Sequence, residues 1–319
     1  MNLTHVVQPD EHGLRLESVL RGSMGISASQ LRKVKRNCMP ILLDGHTCFT
    51  NQRVSEGQRV EIALPSYEAD HLVPLTAAPS SDPLRNLFED ESLIIVWKPA
   101  FLETHASRSR PRGSDTLEQR VSQAISAPVH PVHRLDAETS GPVVFAKHPY
   151  IQHTLQKAMS DGQWVKEYHA AVFHAPDPSS GHIEGSIRRE TPDSFTRIVA
   201  EDGKAARTQY DTLLRTEKEE ETVSLLSLRP LTGRTHQLRV HLMHIGCPIL
   251  GDKRYFTPES AFLSGKLGLK RQQLCCVSLS FPHPITKGTV IIRQADDLEC
   301  RFENPTLIDP PENPSLLRR

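Results

Sequence analysis

The chain has 319 residues, 37% of them hydrophobic and 24% charged, enough apolar material for two or three folded units and too much for a disordered or fibrous chain. Thirty-eight Lys and Arg offset 38 Asp and Glu, so an anionic partner must be met by local charge, since the net value supplies no attraction. The opening MNLTHVVQPDEHG lacks the basic-then-apolar pattern of an export signal, no run approaches the ~20 apolar residues of a membrane span, and the six cysteines make no Cys-x-x-Cys pair, which together point to a cytosolic (cytoplasmic) chain with free thiols and no membrane partner.

From Gly13 to Leu64 eight basic residues stand against four acidic ones, so this segment is locally positive. Ser27 can N-cap a helix running through Leu31-Arg32-Lys33-Val34-Lys35-Arg36. Such a helix gathers Arg32, Lys33, Lys35 and Arg36 into a basic face, although most charge runs are simply solvated faces. Strands are expected around Ile41–Leu43 and Val60–Leu64, with Asp44-Gly45 as the hairpin turn between them. Residues 1–65 therefore read as a small α/β domain. Pro65, Pro74, Pro79 and Pro83 among serines and alanines then mark a linker over 66–87.

From Ser92 onward, short apolar runs read as strands at Leu93–Trp97, Val143–Ala146, Trp164–Phe173, Gln209–Leu214 and Val223–Leu228. Helices are expected at Thr116–Ile125, Ile151–Met159 and Thr235–Ile245. Unevenly spaced strands with few helices predict an α+β fold over 88–303: a mixed, largely antiparallel sheet flanked by helices, and not a doubly wound parallel sheet. Residues 304–319 carry four prolines and little apolar content, and read as a Pro-rich tail.

The usual motifs of nucleotide hydrolysis, dinucleotide redox chemistry, zinc proteolysis and serine esterases are missing. Sixteen histidines invite a metal reading, but neither His130 with His133 nor His236 with His241 and His244 has a common zinc spacing. Two polar segments flanked by apolar ones remain. His133-Arg134-Leu135-Asp136-Ala137-Glu138-Thr139-Ser140-Gly141 is a charged loop with turn chemistry directly before a buried strand, a place where scaffolds display reactive groups. An Asp136 that caps a turn and pairs with Arg134 would look the same. In Leu231–Leu242, Thr235 can cap a helix whose free N–H groups, with Arg234 beside them, suit a phosphate, and His236 and Arg239 share a helix face. Between these segments, strand period puts Lys166 and Tyr168 on one side, as a core Tyr with a snorkelling Lys also would.

The run His133–Gly141 resembles the HRLD-x-x-TSG motif of the RluA-type RNA pseudouridine synthases, Lys166-Glu167-Tyr168 resembles their Lys-x-Tyr element, and Gly233–His241 resembles their GRTHQ-[IL]-RVH element, all in the family's order. Trp97-Lys98-Pro99 and the run from Gly246 to Gly251-Asp252-x-x-Tyr255 extend the resemblance over about Ser92 to Ile292. Gly13–Leu64 is similar to the ribosomal-protein-type RNA-binding domain that often precedes this catalytic domain. Two positions depart from the pattern: Phe101 stands where the family's Lys-Pro-x-Gly has glycine, and Asn37-Cys38-Met39-Pro40 lacks the commoner glycine before the second strand. The stretch Ser107–Gly113 is basic and loop-like.

The resemblance implies isomerisation of uridine to pseudouridine in RNA, with no cofactor and no metal: the N1–C1′ bond breaks, the held uracil turns, and C5 joins C1′. Asp136 falls on the essential aspartate, for which attack at C1′, attack at C6 and removal of a C2′ proton all remain open. Arg239 falls on the arginine that pairs with it, and Tyr168 on the tyrosine that stacks on the target base and can assist loss of the C5 proton. Arg134 falls on the arginine that contacts the substrate and fills the stack vacated by the extruded nucleotide. His133, Lys166, Arg234 and His236 are expected at the RNA, as are Arg32, Lys33, Lys35 and Arg36 of the first domain. Ribosomal large-subunit RNA is the favoured target, transfer RNA the alternative, and the chain is expected to be a monomer. A noncatalytic RNA-binding protein is disfavoured by the intact Asp136, Tyr168 and Arg239. A hydrolase is disfavoured because the nearest second carboxylate, Glu138, lies at a position the family leaves variable.

Overall fold

In the computed structural model, which describes residues 1–65, 83–106, 115–218 and 221–294, the N-terminal domain is a four-stranded antiparallel sheet with two helices. Its strands are β1 (Asn2–Val6), β2 (Ile41–Leu43), β3 (His46–Thr47) and β4 (Arg59–Ala63), in the order β1-β4-β2-β3, and its helices are α1 (Leu16–Arg21) and α2 (Ala28–Arg36). Ser27 caps α2 reciprocally: its hydroxyl accepts from the Gln30 N–H at 3.2 Å and its own N–H donates to Gln30 Oε1 at 2.8 Å. Leu31 and Val34 face a core with Leu16, Leu20, Ile26, Val60 and Ile62, leaving Arg32, Lys35 and Arg36 exposed. The Asp44-Gly45 turn, with both φ values positive at 51° and 79°, joins β2 to the two-residue β3 and not to β4 as the sequence suggested. A two-residue loop can pair only the strand that follows at once, so β4, arriving later, takes the other edge of β2.

The second unit comprises β5 (Asn86–Glu89), β6 (Leu93–Lys98), α3 (Leu117–Ala124), β7 (His130–Pro131), β8 (Gly141–Ala146), α4 (Pro149–Ser160), β9 (Val165–Phe173), β10 (Ser180–Glu184), β11 (Ile187–Arg189), β12 (Arg197–Val199), β13 (Arg207–Lys218), β14 (Glu221–Pro230), α5 (Gln237–His244), α6 (Pro258–Lys266), β15 (Leu274–Pro282) and β16 (Thr289–Arg293). A six-stranded sheet of order β10-β13-β14-β9-β15-β16 and a four-stranded sheet of order β5-β6-β8-β7 hold the core, and β11 and β12 form a separate hairpin. Every ladder is antiparallel. Among the described residues a single parallel bridge, Ser140 with Cys275, splices the two larger sheets.

The splice depends on Gly141, whose φ is 139° and whose added Cβ would fall 2.5 Å from Cys276 Cβ. Only glycine lets β8 start this close to β15. Leu93, Ile95, Val143, Phe145, Ile151 and Leu155 fill the adjacent core, with β8 buried at every position. Strand β5 begins at Asn86, inside the span expected as linker, and pairs with β6. Residues 66–82 of that span lie outside the described residues, as do the basic stretch Ser107–Gly113 and the tail 304–319. Helix α4 meets the N-terminal domain: the Tyr150 hydroxyl donates to Met24 O at 2.7 Å, and His148 Nε2 lies 3.1 Å from Pro65 O. Among the described residues no helix is long and apolar enough to cross a membrane.

Candidate active site

Asp136 sits in a tight turn closed by the Thr139 N–H donating to Asp136 O at 3.0 Å. Three supports fix this turn. Lys98, fully buried at the end of β6, donates from Nζ to Ala137 O, Leu102 O and Pro99 O at 2.8, 2.8 and 2.9 Å. The Thr104 hydroxyl bridges the Leu135 N–H and C=O, and Gln272 Nε2 donates to Thr139 Oγ1 at 2.7 Å. The Asp136 side chain is thereby presented at 25% exposure, rigid in backbone and open to a ligand.

Arg239, on α5, donates from Nη1 to Asp136 Oδ2 at 3.1 Å, while Nε and Nη2 form a fork on Asp252 at 2.6 and 2.8 Å. The Asp252 side chain is wholly buried and also accepts the N–H groups of Arg254 and Tyr255. Burial opposes the guanidinium charge, but the bonds and charges of Asp252 and the charge of Asp136 outweigh it and raise Arg239 above its ordinary value, so it is a permanent cation. Its guanidinium also lies 4.9 Å from the Tyr255 ring centre.

His236 Nε2 stands 3.9 Å from Asp136 Oδ2. Its φ of 57° is left-handed, an uncommon conformation for a side chain of this size and one held where the surroundings over-determine it. The Tyr255 hydroxyl accepts from the Arg197 N–H at 2.9 Å and lies 2.8 Å from His236 Nδ1. With its oxygen already accepting, the Tyr255 hydroxyl is free to donate to Nδ1, an arrangement that would leave the imidazole proton on Nε2 beside Asp136. Burial first, then the guanidiniums of Arg239, Arg254 and Arg197, push His236 down to about 4 against the pull of Asp136, so the ring is a neutral N–H donor at working pH.

Tyr168 and Lys166 share one face of β9, next to Cys276 of β15. Burial, the Cys276 thiol and the Asp136 carboxylate hold the Tyr168 hydroxyl well above its ordinary range. It is a neutral phenol, suited to stack or to donate and unsuited to serve as a standing base.

The structure thus gathers Asp136, Tyr168, His236 and Arg239, with Arg134 exposed two residues before Asp136 in the chain. Other expected RNA contacts are placed differently. His133 is a core residue, 8% exposed: its Nε2 accepts the Val144 N–H at 3.3 Å, its ring packs edge-on to Trp164, and burial drives its pKa well down. Lys166 lays its Nζ 3.5 Å from Met159 Sδ and 5.5 Å from the Trp164 ring centre, and burial lowers its pKa, so it packs on the core where a snorkelling head was the alternative. Arg234 is exposed but donates from Nε to Ala205 O at 3.0 Å. Thr235 does not cap α5. His236 holds the N-cap position, and the Gln237 amide oxygen takes the Arg234 N–H at 3.0 Å, so the turn satisfies itself instead of offering a phosphate site. Arg32, Lys33, Lys35 and Arg36 belong to the other domain, with Lys33 near enough to act on His130. Lys98, Asp252 and Tyr255 were not expected among the functional residues. Their signal was a lysine ending an otherwise apolar strand, and the Gly251-Asp252-x-x-Tyr255 element.

The sequence profile described as RNA pseudouridylate synthase matches residues 92–244. An uncharacterized RNA pseudouridine synthase of Aquifex aeolicus is 31% identical over 89% of this chain and 90% of its own length. The ribosomal large subunit pseudouridine synthase D of Xanthomonas campestris is 32% identical over 77% of this chain and 74% of its own. Among solved structures, human RNA pseudouridylate synthase domain containing 4 aligns with a TM-score of 0.53 at 27% identity, covering 66% of this chain and 88% of that one. The fold, the spliced sheets and the ordered motifs define an isomerase that acts on RNA. The chain belongs to the RNA pseudouridine synthase family.

Proposed function

We propose that the protein isomerises specific uridines of large-subunit ribosomal RNA in the cytoplasm, as a monomer, with Asp136 as the catalytic carboxylate, Arg239 as its partner and Tyr168 against the base. The observation that carries the site assignment is the bond at 3.1 Å from Arg239 to Asp136, made by a guanidinium whose other edge is locked on buried Asp252. The reaction is balanced within the substrate: the N1–C1′ bond breaks, the C5–C1′ bond forms, C5 loses a proton and N1 gains one. No redox partner or group donor is needed. The target nucleotide must leave its stack first, and Arg134, exposed two residues before Asp136, fills the vacated position in this reading. Curated relatives in Xanthomonas campestris and Haemophilus influenzae named ribosomal large subunit pseudouridine synthase D support the choice of RNA.

The N-terminal domain supplies affinity through Arg32, Lys35 and Arg36 on α2. Deleting Met1–Pro79 should weaken RNA binding and flatten its salt dependence by ~0.7–0.9 for each phosphate no longer neutralised, with the chemistry at Asp136 intact.

Asp136→Asn tests the assignment, since it keeps size and most hydrogen bonding while removing the charge. With tritium at uracil C5, the parent should release label to water without releasing free uracil, and the variant should fold, bind RNA and release label at least ~100-fold more slowly. Substantial release by the variant would remove Asp136 from the chemistry, and free uracil from the parent would favour hydrolysis. Mapping pseudouridines in a strain lacking the gene identifies the RNA: loss confined to transfer RNA would overturn the ribosomal target.

A further inference from the structure

The β11–β12 hairpin stands beside the active site and carries charge in an unusual way. Ile187 pairs with Val199, Arg188 with Ile198, and Arg189 with Arg197. Residues directly opposite in an antiparallel pair, and those two along, project from the same face. Ile187 and Val199 pack with Val240 and Tyr255, so the face bearing Arg189 and Arg197 is the one turned toward α5 and Tyr255. Arg197 supplies the N–H that Tyr255 accepts, and Tyr255 in turn holds His236 next to Asp136. The hairpin is therefore tied to the catalytic carboxylate through two hydrogen bonds and one close contact.

Like charges opposite one another destabilise a strand pair. On the outer face this is avoided, since Arg188 donates from Nε to Asp202 Oδ1 at 2.6 Å. On the inner face Arg189 and Arg197 have no carboxylate partner among the described residues. Both reach the carbonyl of Ser194, at 3.0 and 3.5 Å, which draws the two cations together. The acids of the connecting turn do not neutralise them: Glu190 accepts from the Ser194 hydroxyl, and Asp193 is exposed. Arg254, exposed two residues beyond Asp252, adds a third guanidinium. Arg197 feels it: burial, then Arg189 and Arg254, lower its pKa. At the turn of the same hairpin Phe195 is 73% exposed, an apolar ring with no core to occupy.

We infer that Arg189, Arg197 and Arg254 form a phosphate-binding subsite for the RNA backbone next to the target uridine, with Phe195 as a stacking platform for an unpaired neighbouring base. A phosphodiester supplies the negative charge that the inner face lacks, and planar guanidiniums grip it bidentately. An exposed aromatic beside a cluster of cations is the combination that binds single-stranded nucleic acid without reading sequence. The subsite holds the strand that flanks an extruded nucleotide, and it rests on the reading of Asp136 as the site where that nucleotide reacts.

The test uses the full chain and two probes. Fluorescent heptauridylate reports binding over a salt series, and transcribed large-subunit rRNA labelled with tritium at uracil C5 reports turnover. R189Q/R197Q should raise the heptauridylate Kd at least ~10-fold and lower the log–log salt slope by ~0.7 for each phosphate no longer neutralised, and on rRNA it should raise KM. Arg254→Gln should act in the same direction. Phe195→Ala should weaken binding by roughly tenfold, the scale of a single base–aromatic stack, with the salt slope unchanged. Arg188→Gln, which removes a charge from the outer face, should leave the slope as it is. Parental Kd and slope in R189Q/R197Q, or an equal fall of slope in Arg188→Gln, would overturn the subsite. A parent that binds heptauridylate through these arginines but releases no tritium from rRNA would fault the target and leave the subsite standing.

Discussion

Asp252 grips Arg239 through both carboxylate oxygens, Nε to Oδ2 at 2.6 Å and Nη2 to Oδ1 at 2.8 Å, and so aims the remaining Nη1 at Asp136 Oδ2, 3.1 Å away. Asp136, the proposed catalytic carboxylate, is positioned by a residue that it does not touch. Position matters at this scale, because a misplacement of ~1 Å at a reacting group can cost ~100-fold in rate.

Asp252→Asn keeps the volume but cannot accept along both edges of the fork, and it leaves a buried guanidinium short of one charge. Breaking a buried pair by removing one partner costs about 3–5 kcal/mol, so the urea midpoint should fall clearly. Tritium release should drop ~10- to 100-fold in protein that is still folded. A variant with parental rate and stability would show that Arg239 is oriented by its stacking on Tyr255 alone.

Arg239→Lys retains the cation but offers one point of contact where the fork serves two carboxylates. Turnover should fall by at least ~10-fold, with the RNA Kd less affected, as measured by tritium release beside filter binding. An unchanged rate would mean that charge alone is sufficient at Asp136.

How far the sequence was legible follows from where each signal lies. β6 and β8 were readable because each is an apolar run whose burial is fixed by its own residues, and β9, β13 and β14 because each carries a shorter apolar stretch within a more polar strand. β10 and β16 each bury one residue and carry no pattern. β15 did carry one, apolar residues alternating with serine from Val277 to Phe281, but its two cysteines gave no strand cue. At the site, Asp136 and Arg239 were legible from motif order, but His133 was not correctly placed. A histidine beside an exposed arginine looks polar until Trp164 and Val144 close over it. The turn before α5 depended on Gln237, whose amide reaches Arg207 O and Thr208 Oγ1, contacts that no local spacing announces.

The two departures from the family's glycines coincide with backbone strain. Phe101 has φ 65° and Cys38 has φ 51°, the left-handed region that costs a side chain ~1–2 kcal/mol. Phe101 is 64% exposed, so little packing depends on its ring. Phe101→Gly should stabilise the fold by up to about 1 kcal/mol after the greater chain entropy of glycine is counted, and Cys38→Gly should do the same. Thermal melts read the gain as a rise of ~2–4 °C per kcal/mol for Phe101 in the larger domain and ~4–8 °C for Cys38 in the smaller one. A fall in both would show that these side chains make contacts that outweigh the strain.

Lys98 ends an apolar strand, yet it is the most demanding of the buried groups, since three carbonyls take hydrogen bonds from its Nζ and one of them belongs to Ala137, the neighbour of Asp136. Lys98→Met fills the same channel without a donor, and each buried carbonyl left unpaired costs about 1–3 kcal/mol, so both stability and tritium release should fall. The pH dependence separates the charge from the packing. Burial pushes Lys98 down to about 7 from an ordinary 10.5, with Asp136 pulling the other way and Arg271 adding to the fall. Between these two values the unfolded chain holds a proton that the folded chain has released, so the Lys98 contribution makes the parent more stable as pH rises across that window, and this increment is lost as pH falls back toward 7. Urea midpoints taken from about pH 6.5 to about pH 9.5 should therefore rise more steeply with pH in the parent than in Lys98→Met, in which the titration is gone. Parallel slopes in the two proteins would mean that Lys98 stays charged throughout, held by its three carbonyls and Asp136 against its burial.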